Sequence, residues 1–402
     1  MPGPNPPHHR HFRRGYNPPV PQPDTPDAPN TSPAEPTRFS PEVEAKLAPL
    51  RERIDSIDQQ LVALLNERAA VVVEVGDIKR ETASPIYAPE RERQVLERIR
   101  RHNAGPLPDA CLDAIWRELM SGSFALEQPL RIGFLGPPGS FSHLAATRQF
   151  GSSVEYDNLP DIGSIFDGVG RQHNDYGLVP IENSSEGSVS ATLDGLLQHR
   201  PQIVGEVLLP VHHNLLANCD APSIRRICSH PQALGQCRRW LASQFPRVDQ
   251  VATSSTSHAA ELAAGGGGEG VAAIGSTLAG KIFDVHVQFE NIEDNPHNTT
   301  RFFIIGHQRP APTGDDKTSI LFSTRHVAGA LVEVLDVFKR AGINLTHIDK
   351  RPNQSANWEY SFFVDLVGHA DEPAMTAAID EATHHCLHLH VLGSFPRAKE
   401  TL

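Results

Sequence analysis

The run YGLVPIENSSEGSV, residues 176–189, begins like a buried strand and then turns abruptly polar. Glu182, Asn183, Ser184 and Ser185 place an acid, an amide and hydroxyls side by side, more donors and acceptors than a plain loop needs. That density reads as a site. A second polar group interrupts an apolar seam: Leu47, Leu50, Ile54, Ile57, Leu61, Leu64, Arg68, Val71, Val75 and Ile78 follow steps of three and four. Arg68 stands where the helix should bury its face, so it needs an anion, supplied by a ligand or by a neighbouring glutamate. Lys79 lies about 20° from it around the helix, so both cations address one pocket about three turns deep. Arg51 lies roughly 25 Å before Arg68 along the axis and about 100° around it, and shares their site only if a second chain supplies it.

The elements that position these groups fall into blocks. Residues 1–38 are rich in Pro, His, Asn and Asp with almost no aliphatics, too little to offset ordering entropy, and read as a disordered tail whose HHRHFRRG cluster is solvated. Residues 39–128 read as all-helical: one helix of about 60 Å, broken by Pro85 and Pro89, then RERQVLERIRRH and DACLDAIWRELMSGSFALEQ. So long a helix implies a partner chain. From LRIGFLG onward, YGLVPIEN, QIVGEVLLPV, RRICSH and VAAIGS alternate with helical stretches, which predicts an α/β domain over 130–309. The remainder, 316–402, carries strand, helix, strand, strand, helix and strand in turn, the order of a ferredoxin-like α+β unit.

Composition excludes several functions. Acidic residues outnumber basic ones 48 to 36, and the net charge of -12 opposes nucleic-acid binding. Five scattered cysteines without a CxxC pair argue against a disulfide framework and a structural zinc, and fit a reducing cytoplasm. No run approaches the roughly 18 apolar residues of a membrane span. GFLGPPGS misses the dinucleotide spacing, and GGGG at 265–268 lacks the lysine of a phosphate loop, so neither implies a nucleotide cofactor. THHCLHLHV puts His388 and His390 on a predicted strand without accompanying carboxylates or thiolates, so no metal is expected.

With these patterns in place, residues 41–128 resemble the all-helical chorismate mutase family. The resemblance puts its spaced cations on Arg51, Arg68, Lys79 and Arg91, its glutamate on Glu92 and its C-terminal polar pair on Ser123 and Glu127; an aspartate of some members is Ala88 here. GFLGPPGSFSHLAA, VPIENSSEGSV, SHPQALGQC and NTTRFFIIG, in that order, resemble the prephenate dehydratase family, which implies a two-lobed fold like a type II periplasmic binding protein. Its cleft would use Thr300 to hydrogen-bond the leaving hydroxyl and Glu182 as an acid. Asn183, Ser184, Gln236 and Ser140 would orient substrate, and Arg301 would bind a carboxylate or form a structural ion pair. The C-terminal unit resembles an ACT domain, which implies phenylalanine as effector at Gly329, Ala330 and Leu331 and at Arg351 and Pro352, though Asp349 and Lys350 depart from the usual Glu-Ser.

The resemblances together imply a cofactor-free enzyme that converts chorismate to prephenate and prephenate to phenylpyruvate. It would form a homodimer or higher homo-oligomer, bind no nucleic acid or membrane, and answer to phenylalanine. Two other readings stay open: a silent amino-acid sensor, and a dehydratase whose helical domain only dimerises.

Overall fold

The computed structural model describes residues 40–82, 84–266, 269–352, 360–399 and 401. The expected N-terminal tail, and Gly267 and Gly268 of the tetraglycine, lie outside the described residues. The chain forms two compact units, one ending at Leu64 and one beginning at Leu65.

The helical segment contains α1 (Pro41–Thr82), α2 (Pro89–His102) and α3 (Asp109–Glu127). Proline sets the boundaries: Pro85 follows α1, Pro89 opens α2 where a missing N–H costs nothing, and Pro108 precedes α3. In the first unit the seam of α1 is bare, with Leu50, Ile54, Ile57, Leu61 and Leu64 between 47% and 61% exposed. Within the second unit the end of α1 packs on α3 through Gly76. A Cβ there would meet the Glu127 Cα at 3.1 Å, so glycine permits the close approach.

An α/β region follows, built as two lobes. The first holds β1 (Arg131–Leu135), α4 (Phe141–Phe150), β2 (Glu155–Leu159), α5 (Ile162–Gly170), β3 (Tyr176–Asn183), β4 (Gly187–Ser188), α6 (Ser190–His199) and β5 (Gln202–Pro210). The second holds β6 (Asn214–Ala217), β7 (Arg226–Ser229), α7 (Pro231–Gln236), α8 (Arg238–Gln244), β8 (Asp249–Ala252), α9 (Thr256–Gly265), β9 (Val271–Gly275), α10 (Thr277–Phe283) and β10 (Val287–Phe289). The chain then returns to the first lobe as β11 (Thr299–Gly306), so two chain crossings join the lobes. Sheet orders are β2-β1-β3-β11-β5 and β10-β6-β9-β7-β8. β1 is parallel to β2 and β3, whereas β11 runs antiparallel between β3 and β5.

The C-terminal unit is β12 (Asp316–Ser323), α11 (Ala330–Arg340), β13 (Leu345–Pro352), β14 (Tyr360–Val367), α12 (Pro373–Thr383) and β15 (His388–Pro396). Its antiparallel sheet runs β13-β14-β12-β15. The helices cover one face, burying Val334, Val337, Phe338, Met375 and Ala378. The other face sends Leu321, Phe363, Leu392 and Phe395 into the same apolar core as Ile165, Phe166, Ile181 and Phe303 of the first lobe. This domain is therefore welded to the lobe rather than tethered beside it.

Candidate active sites

A cavity of about 240 Å³ lies between the two lobes. Ser140, Pro180, Asn183, Thr300 and Phe302 line it from the first lobe, and His213, His230, Gln236, Ser255 and Thr256 from the second. Gly139, at a left-handed φ of 85°, lets the glycine-rich turn press on the second lobe, where an added Cβ would meet Ser257 Oγ at 2.9 Å. The Ser276 hydroxyl donates to the Gly139 carbonyl at 2.8 Å and fixes that contact.

Among the described residues, no Asp, Glu, Lys or Arg lines the cavity. Backbone instead supplies partial positive charge: α4 and α9 both begin there, at the caps Ser140 and Ser255. The Asn183 amide donates to Thr300 Oγ1 at 2.9 Å, while its carbonyl accepts from the Ser185 N–H at 3.0 Å. This fixes the amide orientation and leaves the Thr300 O–H free to donate elsewhere. Ser184 Oγ accepts from the Thr299 N–H at 2.9 Å, and both Ser184 and Ser185 hydroxyls reach Asn298 Oδ1.

His213 was not singled out in the sequence, yet it organises the opposite wall. It is buried, and that burial lowers its pKa, with His212 adding to the shift and Gln236 and Glu293 opposing it. The neutral ring contacts Gln236 Oε1 at 2.8 Å, and since that oxygen only accepts, Nε2 carries the proton. Asn298 donates to the same oxygen at 3.3 Å. Both bonds turn the Gln236 NH₂ toward Glu186 and the cleft. The only sequence signal was the adjacent pair His212 and His213 after an apolar strand, which carried no spacing to read.

Three expected cleft residues lie outside the cavity lining, the first being Ser184, which is exposed and spends its hydroxyl on Thr299 and Asn298. Strict alternation from Pro180 would put Glu182 in the cavity, but the β3 pairing shifts register between Arg301 and Phe302, leaving one extra residue on β3. Ile181 and Glu182 therefore both leave the cleft: Ile181 enters the core, and Glu182 comes within 3.4 Å of His347 Nδ1 on β13. The bulge is also what returns Asn183 to the cavity. Arg301 alternates regularly and points away from Thr300. Its guanidinium meets Glu206 at 2.7 Å and Asp365 at 2.6 Å, all three buried, so it forms the structural ion pair and not a carboxylate clamp.

On the helical segment, two contacts cross from α1 to α3. Arg68 Nη1 donates to Ser123 Oγ at 2.9 Å, and Lys79 Nζ lies 2.7 Å from Glu127 Oε2 while also donating to the Ile86 carbonyl at 3.0 Å. Ser123 and Glu127 are one turn apart, so the two pairs line one helical seam. Arg51 is exposed and pairs with Glu44, and Arg91 is exposed. Glu92 does not join this group. It accepts from Gln149 of α4 at 3.3 Å and packs by Tyr87, and burial raises its pKa to about 7 against the pull of Arg117 and Tyr87.

The expected effector residues divide between two hollows. Ala330 and Leu331 line one of about 160 Å³ with Arg325, Tyr360 and Phe362, just after Gly329, which caps α11 at a left-handed φ of 90°. Arg351 holds Asp194 of α6 through contacts of 2.9 and 2.5 Å, and Pro352 borders a separate cavity beside α6.

A two-lobed α/β cleft of neutral donors facing two helix N-termini, with a helical module before it and a small α/β unit after it, defines a multidomain enzyme for small anionic substrates. Family models described as prephenate dehydratase and chorismate mutase type II match residues 132–310 and 50–128. The chain is 43% identical over 360 residues to the bifunctional chorismate mutase/prephenate dehydratase of Pseudomonas aeruginosa, covering 88% of this chain and 98% of that one. It is 35% identical over 379 residues to the protein of the same description from Escherichia coli K12, covering 88% and 97%. A prephenate dehydratase from Arthrobacter aurescens, solved in complex with L-Phe, matches with a TM-score of 0.63 and 32% identity over 68% of this chain and 92% of that one. A chain described as a novel type of quorum quenching acylase matches at 0.62 and 28%, over 67% and 98%, so this fold alone does not fix the chemistry. The chain belongs to the bifunctional chorismate mutase/prephenate dehydratase family. It is an enzyme with one domain for each reaction.

Proposed function

We propose that the Asn183–Thr300 pair is the chemical centre of the dehydratase and that the Arg68–Lys79 seam is that of the mutase. Prephenate carries two carboxylates. Loss of the ring carboxylate as carbon dioxide leaves its bonding electron pair to aromatise the ring, expelling the ring hydroxyl, which takes one proton and leaves as water. The cleft meets this chemistry with neutral donors and helix N-termini, which hold a dianion without the carboxylates that would repel it. Thr300 donates to the departing hydroxyl because Asn183 already occupies its oxygen as donor. His213, neutral through burial, orients Gln236 and is no proton source. Solvent supplies the proton.

For the mutase, Arg68 and Lys79 with Arg91, and Arg51 from a second chain, would hold the two carboxylates and the ether oxygen of chorismate while one C–O bond breaks and one C–C bond forms. A bare apolar stripe on α1 supports a partner chain there. Ser123 and Glu127 position the cations. The C-terminal unit, with the strand order of a ferredoxin-like ACT domain, would take phenylalanine as inhibitor near Ala330 and Leu331.

The single observation carrying the dehydratase assignment is the fixed Asn183 amide behind the Thr300 hydroxyl. Supplying chorismate and following prephenate and phenylpyruvate separately tests it. Thr300→Ala should lower dehydratase turnover about 100-fold or more, as loss of one positioned donor does, with mutase turnover unchanged. A folded variant with both activities intact would remove Thr300 from the mechanism.

A further inference from the structure

A cavity of about 340 Å³ lies beside the catalytic lobe, between α6 and the helix-free face of the C-terminal sheet. Strand alternation builds one wall. Leu389 and Val391 of β15 face the helices, so His388 and His390 face the cavity, opposite Ser323 and Leu321 of β12. Leu197, Gln198 and Arg200 form the other wall, and Arg200 ends α6 in a left-handed conformation with φ of 47°. Leu197, Leu321 and Pro352 make the interior partly apolar, and Ser323 and Ser361 add hydroxyls.

The charge balance is one-sided. One carboxylate, that of Asp194, lines the cavity among the described residues, and it is already held by both arms of Arg351. Arg200 and two imidazoles remain.

We propose that this cavity binds a small carboxylic acid with an apolar body, its carboxylate held by Arg200, His388 and His390 and its body packed on Leu197, Leu321 and Pro352. The site is separate from the interlobe cleft and from the hollow at Ala330. An amino acid is a poor fit, because Asp194 is engaged and offers its ammonium no free carboxylate. The His390 pKa is lowered by burial, and further by Arg200 and His388, so these groups oppose one another until an anion arrives. Around that ring stand Leu321 from β12, Arg200 and the Asp194–Arg351 pair from the α6 side, and His388 on its own strand. Binding a carboxylate therefore draws a proton onto His390, and affinity rises as pH falls.

The test uses the full chain with ¹³Cε1-labelled histidine, and His388→Gln and His390→Gln to assign the two resonances. Three probes separate charge from body: 3-phenylpropanoate, inorganic phosphate and 2-phenylethylammonium. The carboxylate should shift both resonances saturably, raise the titration midpoint of His390, and bind at least tenfold more tightly at pH 6 than at pH 8. Phosphate should bind at least tenfold more weakly, and the ammonium probe should shift neither resonance. Arg200→Gln should weaken 3-phenylpropanoate at least tenfold, with mutase and dehydratase turnover within twofold of wild type. Equal binding of phosphate, indifference to Arg200→Gln, or shifts confined to His213 and His230 of the cleft would overturn the assignment. Should the variant not fold, the wild-type His390 midpoint with and without probe decides the matter alone.

Discussion

Asn183 and Glu182 are neighbours in sequence with opposite fates, and a single extra residue in one strand separates them. Asn183 sits behind Thr300 in the cleft, while Glu182 faces His347 in the next domain. A hydrogen bond such as Asn183–Thr300 is worth only about 1 kcal/mol to stability, so its value lies in fixing which atom of Thr300 can donate. Glu92 illustrates a residue whose environment changes its protonation. Its carboxyl rises from an ordinary 4.5 to about 7 because burial beside Tyr87 and Gln149 disfavours the charge. Between those values the folded chain keeps a proton that the unfolded chain has lost. The contribution is fully present below about pH 4.5 and disappears as pH rises through 7. At about 1.4 kcal/mol per pKa unit, the whole effect is at most about 3.5 kcal/mol. Glu92→Gln should therefore flatten the fall in urea midpoint between pH 5 and pH 8. Parallel profiles for the two proteins would show that Glu92 does not titrate in that range.

At the scale of elements, most of the architecture was readable from periodicity. Steps of three and four predicted α1, proline marked the helix breaks, and the β-α-β-β-α-β order of the last domain appears as expected. The short second-lobe strands β6, β8 and β10 carry no alternation strong enough to stand out. The bulge in β3 was invisible because it depends on pairing with β11, a strand more than a hundred residues away. Hence Asn183, Thr300, Ser140 and Gln236 converge on the cleft, whereas Ser184, Glu182 and Arg301 do not. The exposed stripe of α1 has its own consequence. If a second chain covers it and supplies Arg51, then Arg51→Ala and Arg68→Ala proteins are each inactive as mutases, yet a mixed dimer has one site with both arginines intact. Random mixing makes half the dimers mixed and half their sites whole, so about one quarter of wild-type mutase turnover should return. Mixtures that stay inactive, with subunit exchange verified, would place Arg51 and Arg68 in separate functions.

For the whole molecule, the question is which contacts join the catalytic lobe to the C-terminal domain. Burial ranks two of them. Arg301 of β11 reaches Glu206 of β5 and Asp365 of β14, and the two carboxylates have fully buried side chains. Lys317 adds a contact of 3.0 Å to Glu206, and Ser319 donates to Asp365. Arg351 and Asp194 also bridge the domains, but their side chains remain 26% and 32% exposed. Solvent screens the second pair, so breaking it costs about 1 kcal/mol or less. Breaking the first strands a buried guanidinium charge, and losses of that kind run to about 3–5 kcal/mol. Asp365→Ala should accordingly lower the urea midpoint of the dehydratase transition far more than Arg351→Gln, although neither residue touches the cleft. Dehydratase turnover should fall in the first variant at temperatures the second tolerates, because Arg301 lies next to Thr300 on β11 and transmits any shift in that strand. Equal midpoints for the two variants would mean that water, or Glu206 freed from Lys317, compensates the buried charge, and that the shared apolar core alone holds the domains together.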